Sequence, residues 1–170
     1  MNLLAYILHL TLLTGIYTYS IPASGGGTID IANYKGKKIL IVNIASNSKY
    51  APQLSLLEEL YQKHKDSLVI IAVPSNSFTK EPLSDQQIKE RLLNQYHVSY
   101  LIAAKSSVSG ALQLPLYKWL TLAEKNGVVN NPVTGDFQKF LINGKGSLVG
   151  IFSPDTDPLA TELQNAILNN

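Results

Sequence analysis

Residues 39–44 read Ile39-Leu40-Ile41-Val42-Asn43-Ile44, and residues 68–73 read Leu68-Val69-Ile70-Ile71-Ala72-Val73. Neither run alternates apolar with polar side chains, so neither can present one face to water. Short β-branched-rich runs of this kind are strands covered on both sides. Between them, Leu54, Leu57, Leu60 and Tyr61 recur at helical spacing, with Glu58, Glu59 and Lys63 on other faces. Parallel strands need a crossover connection, and this one is long enough to carry a helix. The stretch is therefore expected to be a right-handed βαβ unit in a helix-covered sheet.

Working outward, Gly25-Gly26-Gly27 turns the chain into Thr28-Ile29-Asp30-Ile31, which alternates like a short strand, and Lys35-Gly36-Lys37 turns it again. On the other side, Ser84 stands three residues before Gln87 and just after Pro82, a capping box opening a helix with Ile88, Leu92 and Leu93 on one face. Pro115 opens another helix with Leu116, Trp119 and Leu120 inward, closing near Asn126-Gly127. Residues 137–142 and 147–152 flank Asn143-Gly144-Lys145-Gly146 as an antiparallel hairpin. Asp157-Pro158 then caps a terminal amphipathic helix with Leu159, Leu163, Ala166 and Ile167 inward. This order is that of a thioredoxin-like α/β fold with an insertion. The expectation is a central mixed sheet, helices on both faces and an N-terminal β-hairpin.

The chain has 170 residues and is 45% hydrophobic, the size of one domain with a sizeable core. Fourteen Lys plus Arg against 12 Asp plus Glu leave a formal net charge of +2, too weak a field to argue for nucleic acid. There is no cysteine, which removes disulfides, thiolate ligands and all thiol chemistry. Residues 3–13 are apolar apart from His9 and Thr11 and precede the first basic residue, Lys35. The run resembles the apolar part of a signal peptide and is too short to span a membrane. Residues 1–16 are expected to be an export segment and residues 17–170 the domain. The product would be periplasmic or secreted, or membrane-tethered if the segment stays attached.

Several strings resemble the glutathione peroxidase family in its bacterial form. Residues 34–46, Tyr-Lys-Gly-Lys-Lys-Ile-Leu-Ile-Val-Asn-Ile-Ala-Ser, resemble that family's YKGK…LIVNVAS, and Tyr50 with Pro52-Gln53 resembles its GYTPQ. Pro74, Asn76 and Phe78 fall as in FPxNQF, Glu81-Pro82 as in QEP, residues 116–120 as in PLYKWL, and residues 137–140 as in WNFxKF. The resemblance covers about residues 17–167. It implies a thioredoxin-like fold and reduction of hydrogen peroxide or organic hydroperoxides by a peroxidatic Cys or selenocysteine, with glutathione or thioredoxin as reductant and no bound cofactor.

The resemblance also implies where that chemistry would sit. The family's peroxidatic residue falls on Ser48, its Gln on Ser77, and its Trp-Asn pair on Gly135-Asp136. The resolving Cys of thioredoxin-dependent members falls on Ser75, and Leu101 replaces the proline of TFP. A serine hydroxyl has no stable sulfenic-type oxidation state and a pKa far above a thiol's. Asp136 would oppose a thiolate. Substitution at all four positions implies natural divergence, since an engineered trap would alter the nucleophile alone. The expectation is a pseudoenzyme acting through an unidentified partner. Its alternatives are a peroxidase working by another route and a hydrolase using Ser48.

The remaining features are weighed against plainer readings. His64 reads as a solvated residue at a helix end and His97 as an exposed loop residue, and no GxSxG elbow surrounds Ser48. The three histidines show no metal-ligand spacing. Gly25-Gly26-Gly27 precedes a strand and reads as a turn, not a phosphate cradle. Tyr17, Tyr19, Tyr34 and Tyr50 suit core and hairpin contacts. Lys35, Lys37 and Lys38 form a basic cluster expected near the active-site edge, with a solvated turn as the plain reading.

Overall fold

A computed structural model of the chain describes residues 15–169. Of the expected export segment, residues 1–14 lie outside these. Ile16, its last residue, is fully buried in the core. Neither Cys nor Met occurs among the described residues.

The strands are β1 (Ser20–Pro22), β2 (Thr28–Asp30), β3 (Lys38–Ile44), β4 (Leu68–Pro74), β5 (Leu101–Ile102), β6 (Lys139–Ile142) and β7 (Leu148–Phe152). The helices are α1 (Gln53–His64), α2 (Asp85–Gln95), α3 (Pro115–Thr121), α4 (Ala123–Asn126) and α5 (Thr161–Asn169). β1 and β2 form a small antiparallel hairpin; the main sheet has the order β5-β4-β3-β6-β7. β3 and β4 run parallel with Ile39 opposite Val69, while β6 runs antiparallel to β3 with Ile142 opposite Ile39. The mixed sheet expected from the sequence is thus present, with the βαβ unit at its centre.

The absence of a polar face on β3 and β4 has its reason in the two core layers. Ile39, Ile41, Ile71 and Phe140 face Ile21 and Ile29 of the hairpin and Leu116 and Trp119 of α3. Leu40, Val42 and Ile70 point the other way, onto Leu54, Leu57 and Leu60 of α1, Ile88 and Leu92 of α2, and Leu163 and Ile167 of α5. Leu57 and Leu60 are fully buried, each worth roughly 1.5–3 kcal/mol of apolar burial. The Ser84 capping box is present, its hydroxyl accepting from Gln87 N–H at 3.3 Å while the Gln87 side chain accepts from Ser84 N–H at 3.0 Å.

Some boundaries differ from expectation. Leu93 is 42% exposed and does not share the buried face of α2. The helix opened by Pro115 stops at Thr121, because Leu122 turns extended before α4 begins; Gly127 ends α4 at φ 73°. Asp157 caps a separate turn, its carboxylate accepting from Leu159 N–H at 2.7 Å, and α5 starts only at Thr161. Phe137 has φ 65° and lies ahead of β6, so the hairpin strand is shorter than its apolar run.

The Lys35–Lys38 cluster is also displaced from its expected position. It stands where the chain enters β3, whereas Ser48 follows the far end of that strand. A strand of this length spans roughly 20 Å. The cluster and Ser48 therefore occupy opposite poles.

Candidate functional site

At the pole where β3 and β4 end, Asn43 closes the sheet and the chain turns through residues 45–52 into α1. Ser48 N–H bonds to the Ala45 carbonyl at 3.2 Å, and Ala51 N–H to the Ser48 carbonyl at 3.1 Å. The Ser48 hydroxyl oxygen accepts from Tyr50 N–H at 3.3 Å. A side-chain atom at position 48 thus meets a backbone donor just ahead of a helix N-terminus, a place that favours negative charge.

A buried carboxylate fixes this loop. Glu81 is 1% exposed; one of its oxygens accepts from Ser46 N–H at 2.7 Å and Ser46 Oγ–H at 2.8 Å, the other from Leu83 N–H at 3.2 Å. Asn47 N–H adds a bond to the Lys80 carbonyl at 2.9 Å. Sequence reading placed Glu81 only within a motif and missed this role, because a buried Glu leaves no compositional signal.

The facing wall is residues 134–137. The fully buried Asn43 side chain donates to the Gly135 carbonyl at 2.9 Å, and Phe137 N–H donates to the Asn43 carbonyl. Phe137 is a buried bulky residue in the left-handed region, a conformation that persists only where surrounding bonds impose it. Lys139 holds the wall from behind. Its side chain is fully buried, with Nζ donating to the Phe137 carbonyl at 2.8 Å and reaching those of Ser153 at 3.5 Å and Pro154 at 3.4 Å. Burial pushes this ammonium down to about 8, against the opposing pull of Asp155 and Asp157.

Between the walls lies a cleft of about 400 Å³, lined by residues 47–50, Phe78 and Lys80 on one side and Thr134, Gly135 and Asp136 on the other. Asp136 is 7% exposed, and its Oδ1 is buried without a hydrogen-bond partner. Burial raises its pKa above the ordinary aspartate value; the Lys80 charge opposes that shift and the Glu81 charge adds to it. Lys49 stands over the Tyr50 ring, 4.9 Å from its centre.

Of the residues singled out in the sequence, Ser48, Gly135 and Asp136 come together in this cleft. Ser77 and Ser75 do not line it. The Ser77 hydroxyl accepts from Ser75 Oγ–H at 3.0 Å and from Val108 N–H at 3.1 Å, while Ser75 is fully buried and accepts from Ser77 N–H at 3.2 Å. Ser77 lines a separate hollow with Asn76, Lys105, Ser106 and Ser107. His64 ends α1 at the opposite pole, and His97 is exposed beyond α2 at φ 52°; neither lines the Ser48 cleft. Among the described residues no group of three or more His, Cys, Asp or Glu could hold a metal ion.

A mixed sheet with helices on both faces and a turn from its central strand into a helix defines the thioredoxin-like class. A thiol:disulfide interchange protein of the thioredoxin family from Chlorobium tepidum shares this fold at TM-score 0.59 and 14% identity, over 88% of this chain and 92% of that one. Residues 16–121 match the glutathione peroxidase family, and the chain belongs to that family. It is 36% identical over 154 residues to a "Probable phospholipid hydroperoxide glutathione peroxidase" of Nicotiana sylvestris, covering 86% of this chain and 88% of the relative. It is 34% identical over 156 residues to the glutathione peroxidase homolog BsaA of Staphylococcus epidermidis, covering 89% and 98%. The crystal structure of Trgpx in apo form aligns at TM-score 0.68 and 28% identity, over 91% and 94% of the two chains.

Proposed function

We propose that this chain keeps the glutathione peroxidase fold without thiol peroxidase chemistry, and that it is an exported binding or regulatory module whose ligand or partner meets the Ser48 cleft. One observation carries the reading. The side chain at position 48 is a hydroxyl that accepts a backbone hydrogen bond, in a cleft that no histidine lines. A peroxidatic cycle needs a group that is anionic near neutral pH and survives addition of one oxygen atom. Serine is neither, and no cysteine exists anywhere in the chain to replace it. The buried carboxylate of Asp136 in the same cleft opposes any anion at position 48. The Ser48 hydroxyl is bonded to a backbone N–H and not to a histidine, so it lacks the partner that activates a hydrolytic serine.

The test is peroxide consumption by the purified protein, using hydrogen peroxide and a lipid hydroperoxide with glutathione and thioredoxin systems separately. The expected result is no turnover above buffer. Turnover that survives Ser48→Ala would overturn the reading and point to another redox route. Turnover that Ser48→Ala abolishes would overturn it in favour of chemistry at the hydroxyl.

A further inference from the structure

The Ser48 cleft holds charged groups of both signs that do not pair with one another. Asp136, 7% exposed on the cleft wall, has a buried Oδ1 to which no protein group donates. Lys49 and Lys80 line the same cleft, are exposed, and form no ion pair with it; the one ion pair among the described residues joins Lys125 and Glu124. A carboxyl group withdrawn from water without a donor is costly, so the fold keeps an acceptor that a donor from outside the chain would satisfy. The Ser48 hydroxyl has the opposite capacity. Its oxygen already accepts from Tyr50 N–H, which leaves its O–H to donate.

Both walls of the cleft are set in advance. Phe137, next to Asp136, has φ 65°, and Thr79, between Phe78 and Lys80, has φ 59°. Thr79 is β-branched, and for such a residue the left-handed region is exceptional. Strain of this kind persists where neighbouring bonds impose it. Around Thr79 these are the bonds from Thr79 N–H to the Asn76 carbonyl and from Glu81 N–H to the Asn76 side-chain oxygen, both 3.0 Å. Tyr50 and Phe78 are half-buried and give the cleft its apolar surface.

We propose that the cleft binds a free α-amino acid with an apolar side chain, its ammonium on Asp136, its carboxylate at the Ser48 O–H and the Lys49 and Lys80 ammonium groups, and its side chain against Tyr50 and Phe78. The proposal rests on the reading of this cleft as a ligand site without peroxidase chemistry, and it names the ligand class. A cation alone leaves the lysines without a partner, and an anion alone is repelled by Asp136. A zwitterion answers both. The cleft, about 400 Å³, is within the range of small-molecule sites.

The experiment is isothermal titration calorimetry and thermal shift of the full chain at pH 7, with L-phenylalanine and L-leucine as probes. N-acetyl-L-phenylalanine, which lacks the ammonium, is expected to bind about 10- to 100-fold more weakly than L-phenylalanine, as loss of a charged hydrogen bond predicts. Asp136→Asn is expected to remove that preference for the free ammonium. Lys49→Gln and Lys80→Gln are each expected to weaken L-phenylalanine about threefold without weakening phenethylamine, which has no carboxylate. Lys145→Gln, at the opposite pole, is expected to change nothing, and circular dichroism confirms that each variant is folded. Neither heat nor thermal shift with both amino acids, equal binding of the N-acetyl compound, or a preference for the ammonium that survives Asp136→Asn would each overturn the proposal. Peroxide consumption is measured on the same preparation. Turnover there would overturn the underlying reading whatever the titration gives, whereas silence in both assays would overturn the amino-acid site alone.

Discussion

Asp136 is the buried acidic residue that lines the Ser48 cleft. Its carboxyl is buried with one oxygen unpartnered and a pKa raised chiefly by burial. Between the ordinary value of 3.8 and the raised folded value, the native state binds more protons than the unfolded one. Stability contributed by the protonated form is therefore complete below the unfolded pKa and lost as pH rises through the folded pKa. Asp136→Asn is expected to raise the thermal midpoint at pH 7, with the gain vanishing once the solution is acidic enough to protonate aspartate in both states. A gain that persisted unchanged in acid would show that the charge was not its cause. Ser48→Cys places a sulfur against Tyr50 N–H, yet it faces the same carboxylate. The single variant is expected to show only trace peroxidase activity, and adding Asp136→Asn to increase it on the order of tenfold for each pKa unit by which the thiolate is favoured. Thiol titration against pH, followed in the thiolate absorbance, separates that effect from better folding.

Among the elements, the meeting of the turn before β3 with the β6–β7 loop is the most constrained. A Cβ on Gly144 would lie 2.7 Å from the Gly36 carbonyl oxygen, which is backbone and cannot swing aside. Gly144→Ala is expected to cost about 1–3 kcal/mol in urea denaturation, with an unchanged denaturant slope. That close approach was not legible from Asn143-Gly144-Lys145-Gly146, which signalled only a turn. What the sequence did disclose are elements whose signal is local: β3 and β4 through unbroken apolar runs, α1 through its leucine spacing, and α2 through the Ser84 capping box. Elements fixed by their neighbours were lost. β5 is two residues long and exists because Leu101 and Ile102 pair with Ile71 and Ala72. The break at Leu122 involves no Pro or Gly to announce it. At the site, Ser48, Gly135 and Asp136 could be named from motifs. The direction taken by Ser77 depends on Val108 N–H, 31 residues away in sequence, and no local pattern records it.

For the molecule as a whole, Lys139 links the cleft wall to the segment ahead of α5. Its folded pKa of about 8 lies below the ordinary 10.5, so between these values the unfolded chain binds more protons and stability rises with pH. The rise is expected to reach at most about 3 kcal/mol and to be absent in Lys139→Met. Denaturation midpoints of both proteins across pH 7–11 (roughly the window set by the two lysine states) measure it, and a parallel course of the two curves would refute the assignment.

The described domain contains neither Cys nor Met. Sulfur is the element on which oxidants inflict most of their early damage to proteins. A protein that consumes hydroperoxides through a sulfur or selenium centre risks irreversible inactivation as oxidant accumulates. This domain carries no such centre to exhaust, so oxidants that attack sulfur find nothing to alter in its surfaces or its cleft.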